Sequence, residues 1–271
     1  MTGRILLGAQ KRWDARAAEW GGFENRYARK GIGGSNPPPT AMKFFTGFQL
    51  KFLALIFMIL DHMAVFFPGT FPIEFRYIGR LAAPIFFFMA VESFFHTSSK
   101  KIYLKRLYIA AFIMAAGNIL LGYFTAEIFN LDKIYFIYYN IFLSIALCIS
   151  VIYGLDWLKK QTSYKMNALG MTLILVLSSI SLLTEYGYIA LAAILIFYFF
   201  REKPIFKYTG YFALSFSAMF IVGSYQWLMI FSLPFIYFYN GKKGTGYKYL
   251  FYIVYPLSVW IPYFLKLSPW F

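Results

Sequence analysis

Residues 50–69 read LKFLALIFMILDHMAVFFPG, an apolar run that closes with Asp61 and His62 side by side just before a Pro-Gly turn. An ionisable side chain is costly at bilayer depth and should face other helices, not lipid. If the helix enters the membrane near Leu50, His62 lies about twelve residues in, ~18 Å along a 1.5 Å rise, inside a ~30 Å hydrocarbon core. The stretch therefore reads as a transmembrane helix whose outer half carries a candidate site. Neutral histidine can wait there at modest cost and take up a proton when needed.

The rest of the chain carries the same signature. Of its 271 residues 60% are hydrophobic, 23% aromatic and 14% charged, with a mean hydropathy of +0.60; soluble domains have roughly 45–50% apolar and 25% charged residues. This indicates an all-α polytopic membrane protein with its chemistry, if any, in the membrane region. Apolar runs between polar breaks give about nine transmembrane helices, within a range of eight to ten, at about 49–67, 77–95, 106–124, 134–153, 167–183, 186–200, 207–222, 226–239 and 248–265. The sixth, seventh and eighth are shorter than a full span, so merging or a re-entrant segment stays open there.

A formal charge of +15 would point to nucleic acid in a soluble protein, but in a membrane protein the positions of the basic residues report topology first. All of the 26 Lys and Arg except Arg76, Arg80, Lys133 and Lys266 fall on one side of the predicted spans. Basic loops stay inside, so the N-terminus is expected inside and the C-terminus outside. Residues 1–41 lack a sustained apolar core, so they read as a basic, disordered cytoplasmic tail or an upstream extension before a membrane domain over 42–271. The single Cys148 precludes an intrachain disulfide and reads as a small buried hydrophobe.

The same topology gathers Asp61, His62, Arg76, Arg80 and Glu185 at the outer face from scattered positions. Adjacent helical residues point ~100° apart, so Asp61 is not automatically the partner of His62 and is expected to pair with Arg80, stapling two helices around the histidine. Gly79, Ala82 and Ala83 would allow that approach. Each residue also has an ordinary reading, as an interfacial cap or a snorkelling anchor. Their convergence from separate helices favours a site. Glu92 and His96 fall at the inner end and read as caps meeting a basic loop, while Asn118 and Asn140 read as interhelical hydrogen bonders. The two histidines lie on opposite faces, so no metal site is expected. The loop YNGKKGTGYKY (239–249) is a weak phosphate-binding signal, since Lys in an inside loop is also what topology demands.

LKFLALIFMILDHM (50–63), IGRLAAPIFFFMAVESFFHTSSKKIYLKRL (78–107), EYGYIA (185–190), QWLMIFSLPFIYFYNGKKG (226–244) and YLFYIVYPLSVW (249–260), taken in order, resemble the TraX family of bacterial multi-pass membrane proteins linked to N-terminal acetylation of pilin. The resemblance covers most of 42–262. It departs at Ser93, where the family often has Gly, and at Ser258, where it commonly has His. It implies an acetyltransferase of the bacterial inner membrane, with acetyl-CoA as donor and pilin or another surface acceptor as partner alongside lipid, and no nucleic acid. On that reading His62, Asp61 and Arg80 carry catalysis, Glu185 and Arg76 bind the acceptor, and Asn240, Lys242 and Lys243 hold the donor's phosphates on the inner side. Two other classes stay open: a proton-coupled small-molecule transporter, and a non-catalytic component of pilus or conjugation assembly. The absence of paired, Gly/Pro-broken repeats speaks against transport.

Overall fold

The computed structural model describes residues 44–221, 225–244, 246 and 249–268; the tail expected over 1–41 lies outside the described residues. The described residues form α-helices joined by short turns, with no strand among them. The helices are α1 (Gly47–Phe66), α2 (Glu74–Gly79), α3 (Ala82–His96), α4 (Lys100–Ile128), α5 (Ile141–Leu158), α6 (Tyr164–Leu182), α7 (Gly187–Phe199), α8 (Pro204–Ile221), a 3₁₀ segment (Gln226–Ser232), α9 (Leu233–Tyr237) and α10 (Leu250–Leu267). Among the described residues six stretches are long and apolar enough to cross a membrane: α1, α2 with α3, α4, α5, α6 and α10. The 13-residue α7 rises only ~20 Å and falls short of the ~30 Å core. It packs between α3, α5, α6 and α8, burying Ala190, Ala193, Ile194 and Phe197. By contrast α6 buries little beyond Gly170 and Ser181 and presents an apolar flank.

α1 begins with a reciprocal cap in which Thr46 Oγ1 accepts from Gln49 N–H (3.3 Å) and Gln49 Oε1 accepts from Thr46 N–H (2.9 Å). Two further N–H groups of its first turn, at Gly47 and Phe48, donate to the carbonyls of Lys242 and Lys243 (2.8 and 3.0 Å), so the basic loop itself closes this helix end. Leu50, Ala54, Leu55, Met58, Asp61 and His62 form the buried stripe of α1, while Phe52 and Ile56 are exposed. The helical period thus carries Asp61 and His62 to the protein interior.

Four boundaries differ from the sequence expectation, each for a local reason. The second predicted helix is broken at Arg80–Leu81 into α2 and α3. α4 extends from Lys100 to Ile128 because Ser99 caps Ile102 N–H (3.3 Å) and its first turns are charged, which hydropathy does not see. α5 starts at Ile141, not near 134, because Asn118 of α4 binds the Ile137 and Tyr139 carbonyls (3.1 and 2.9 Å) and holds that apolar segment out of helical form. The eighth predicted helix splits into the 3₁₀ segment and α9, with Pro234 in the first turn of α9. Two close approaches tie the bundle together: a Cβ on Gly79 would lie 2.3 Å from Asp61 Cβ, and one on Gly117 would lie 2.1 Å from the Trp260 ring. Only glycine permits either contact.

Candidate functional site

The α2–α3 break presents Arg80 to α1. Arg80 Nη2 donates to both oxygens of Asp61 (2.6 and 2.8 Å), Arg76 Nη1 stands 3.3 Å from Asp61 Oδ1, and Arg80 Nε binds the Arg76 carbonyl at 3.2 Å. Arg80 Nη1 donates to Gln226 Oε1 (3.1 Å) and Arg76 Nη2 to the Tyr225 hydroxyl (3.4 Å). Both guanidinium carbons also lie over the Tyr225 ring, 5.7 and 5.8 Å from its centroid. Two guanidinium groups thus share one carboxylate, leaving an excess of positive charge in a poorly hydrated place, which suits an anion or a developing oxyanion.

His62 is 4% exposed and takes its partner from the far end of the sequence: Nδ1 lies 3.0 Å from Ser258 Oγ. Ser258 has one hydroxyl proton, and its Oγ donates to the Tyr255 carbonyl at 2.7 Å. The hydroxyl can then only accept from the histidine, so Nδ1 carries the proton and Nε2 keeps a lone pair free to act as a base. The rings of Tyr139 (5.7 Å), Tyr255 (6.0 Å) and Phe66 (6.4 Å between centroids) enclose the imidazole. Pro256 leaves the Tyr252 carbonyl without its usual helical donor, and the last helix carries Tyr255 and Ser258 at this weakened turn.

Glu185, in the turn before α7, accepts from Asn140 N–H at 2.8 Å, directly ahead of α5. Glu185 is exposed as a residue, yet protein packed around its carboxyl end desolvates that group and pushes its pKa up to about 7. Asn140 caps α5 by accepting from Leu143 N–H (3.1 Å) and donates to the Ala111 carbonyl (3.0 Å).

The opposite end of the bundle holds a cavity of about 370 Å³. Lys51, Arg106, Lys243 and His96 line it with Glu92 and Ser93, and Ile141, Phe142 and Tyr255 also belong to its wall. Lys51 Nζ donates to Ser93 Oγ at 3.3 Å. Glu92 is engaged by Arg201 Nε (3.0 Å) and approached by His96 (3.7 Å).

Of the residues anticipated from sequence, Asp61, Arg80 and Arg76 form one ion cluster and His62 is the next residue on α1, while Glu185 stands at the turn bonded to Asn140. Lys243 lines the cavity. Asn240 and Lys242 do not: Asn240 Oδ1 accepts from Lys242 N–H (2.9 Å), and the two shape the turn. Ser258, Tyr255, Gln226, Lys51 and Arg106 were not anticipated in these places. Ser258 had a signal, as the position where the resemblance fails.

The TraX family model, described as TraX protein, matches residues 46–266. This chain belongs to the TraX family. A curated relative, described as a probable fimbrial assembly protein FimC, serogroup H1, of Dichelobacter nodosus, is 30% identical over 234 residues, covering 79% of this chain and 93% of the relative. No solved structure gives a significant match. The matched TraX region takes in both the Asp61 ion cluster and the lined cavity, from the capped start of α1 to Lys266 in the last helix.

Proposed function

We propose that this protein is a membrane acyltransferase that takes acetyl from acetyl-CoA on one face and places it on the N-terminal amine of a pilin subunit, or a similar surface acceptor, on the other. The observation that carries the reading is a base with a free Nε2 beside two guanidinium groups, close to the end of a cavity whose other residues include Lys51, Arg106 and Lys243. At about 370 Å³ the cavity is at the small end of ligand pockets, roughly 300–1,000 Å³. It suits a narrow thioester arm, with the phosphates held among the basic side chains. The topology expected from the basic loops supports the reading: with the N-terminus inside a bacterial inner membrane, the cavity side would face the cytoplasm, where acetyl-CoA is made.

Acetyl-CoA supplies an activated acyl group. His62 Nε2 takes the proton from the acceptor amine as its nitrogen bonds to the acetyl carbon, and returns it to the sulfur as the carbon–sulfur bond breaks. Arg80 and Arg76 oppose the charge that develops on the carbonyl oxygen. Asp61 fixes the two guanidinium groups, Ser258 fixes the imidazole, and Glu185 receives the acceptor's ammonium before it is deprotonated. The test is intact-mass analysis of pilin and surface polymers from cells with and without the protein, together with transfer from labelled acetyl-CoA by the purified chain in nanodiscs. An acetyl group on the pilin terminus that depends on the protein is the expected result; its absence in both assays overturns the reading.

The name of the curated relative favours one other reading, a non-catalytic component of pilus assembly. Assembly that survives combined substitution of Asp61, His62 and Arg80 would support it.

A further inference from the structure

We propose that Tyr255 is a gate between the cavity and the outer ion cluster, closed in this structure. The inference rests on the acyltransferase reading for its purpose, but its geometry stands apart from it. Asp61, His62, Arg80 and Glu185 are absent from the cavity wall, whereas Tyr255 belongs to it. The same side chain turns its ring to His62 at 6.0 Å and to Phe142 at 5.0 Å. Tyr255 is 4% exposed, so its ring fills the space between the cavity and His62.

Two hydrogen bonds and a weak hinge hold it there. The latch is Ile141 N–H, which donates to the Tyr255 hydroxyl at 3.0 Å, while that hydroxyl in turn engages the Glu185 carboxyl. This N–H belongs to the first turn of α5 and has no partner within its own helix. If the phenol leaves, the donor is exposed to the passage and available to an incoming carbonyl oxygen. The hinge is Pro256, the next residue, where the helical ladder of α10 is already interrupted.

The gate also reaches the base. Tyr255 supplies the carbonyl that takes the Ser258 proton, and Ser258 Oγ accepts from His62 Nδ1. Across the latch, Asn140 N–H holds Glu185 while Ile141 N–H holds Tyr255, so two consecutive amides divide between the acceptor side and the cavity side. Tyr255 therefore acts as a positioning residue: it keeps water and thioester from His62 until the passage opens.

Sided thiol labelling of the full chain in oriented proteoliposomes tests this. Cys148 is replaced by Ala and His62 by Cys, giving one reporter thiol, and a small, impermeant, anionic methanethiosulfonate is applied from the face bearing the cavity. With Tyr255 intact, labelling from that face should be slow. Tyr255→Ala should raise the rate at least tenfold, and Tyr255→Phe, which keeps the ring but loses the latch, should raise it by a smaller factor. Fast labelling with Tyr255 intact, or no increase in either variant, overturns the gate. Should Tyr255→Ala fail to fold, Tyr255→Phe preserves the packing volume and decides alone. The readout needs no acyl transfer. A gate signal beside an unsubstituted chain that transfers no acetyl therefore sinks the acyltransferase reading alone, and transfer by the unsubstituted chain without the signal sinks the gate alone.

Discussion

The bundle carries two sets of the same three groups, carboxylate, arginine and histidine, one at each end. At one end Asp61 binds Arg80 and Arg76, and His62 follows on the same helix; at the other Glu92 binds Arg201, and His96 follows one turn later. Their surroundings separate them. His96 has a side chain 55% exposed, and its Nδ1 turns back to the Glu92 carbonyl of its own helix (2.7 Å). His62 is buried, and its Nδ1 is engaged by Ser258 from the last helix, which leaves Nε2 free. A histidine that finishes its own helix is a cap. One whose proton is placed by another helix, away from water, is positioned to do chemistry.

The contrast breaks most sharply at the histidines. His62→Ala should lower acetyl transfer by at least ~100-fold, the loss typical of a missing general base, while His96→Ala should change it by less than about threefold. Equal losses, measured with labelled acetyl-CoA in nanodiscs, would erase the distinction. The carboxylates follow. Asp61→Asn strands two largely buried guanidinium groups and should cost about 3 kcal/mol or more of stability in thermal denaturation. Glu92→Gln releases Arg201, whose side chain is already 29% exposed, and should cost only about 1 kcal/mol.

What was legible in the sequence followed from forces that act locally. Lipid demands apolar runs, so all nine predicted segments coincide with helical ones, and the three expected to be short are α7, α8 and the broken stretch over 226–237, none of which is among the six stretches able to span by length and hydropathy. Opposite charges confined to one face must pair, so Asp61 and Arg80 could be joined from topology alone. The illegible part depended on contacts between distant segments. Nothing in YPLSVW says that Ser258 points at His62, 196 residues earlier; the departure from the family's histidine marked the position without naming its partner. Likewise Lys242 and Lys243 are equivalent in sequence, and only the turn held by Asn240 puts one of them in the cavity wall.

Ser258 gives the next sharpening of the comparison. Ser258→Ala frees the imidazole to adopt either tautomer and removes one hydrogen bond worth about 1 kcal/mol, so kcat should fall by roughly five- to tenfold. The donor KM should stay unchanged, since Ser258 is not part of the cavity wall. Ser258→Thr keeps the hydroxyl and should restore most of the rate. A loss that Thr does not restore would mean that Ser258 only packs.

The smallest effect is expected at Glu185, the proposed acceptor contact. Desolvation holds this carboxyl near pKa 7, so it is neutral below that pH and anionic above it. A terminal amine, with its own pKa near ~7.7–8.0, stays largely protonated through the same window. Lowering the pH through about 7 therefore removes the negative partner while the positive one persists, and the acceptor KM should rise by a few-fold. Glu185→Gln should hold KM at the raised value and flatten its pH profile, leaving the slope of kcat to the amine. A KM profile that keeps its inflection in Glu185→Gln would assign the titration to another group and move the acceptor away from this turn.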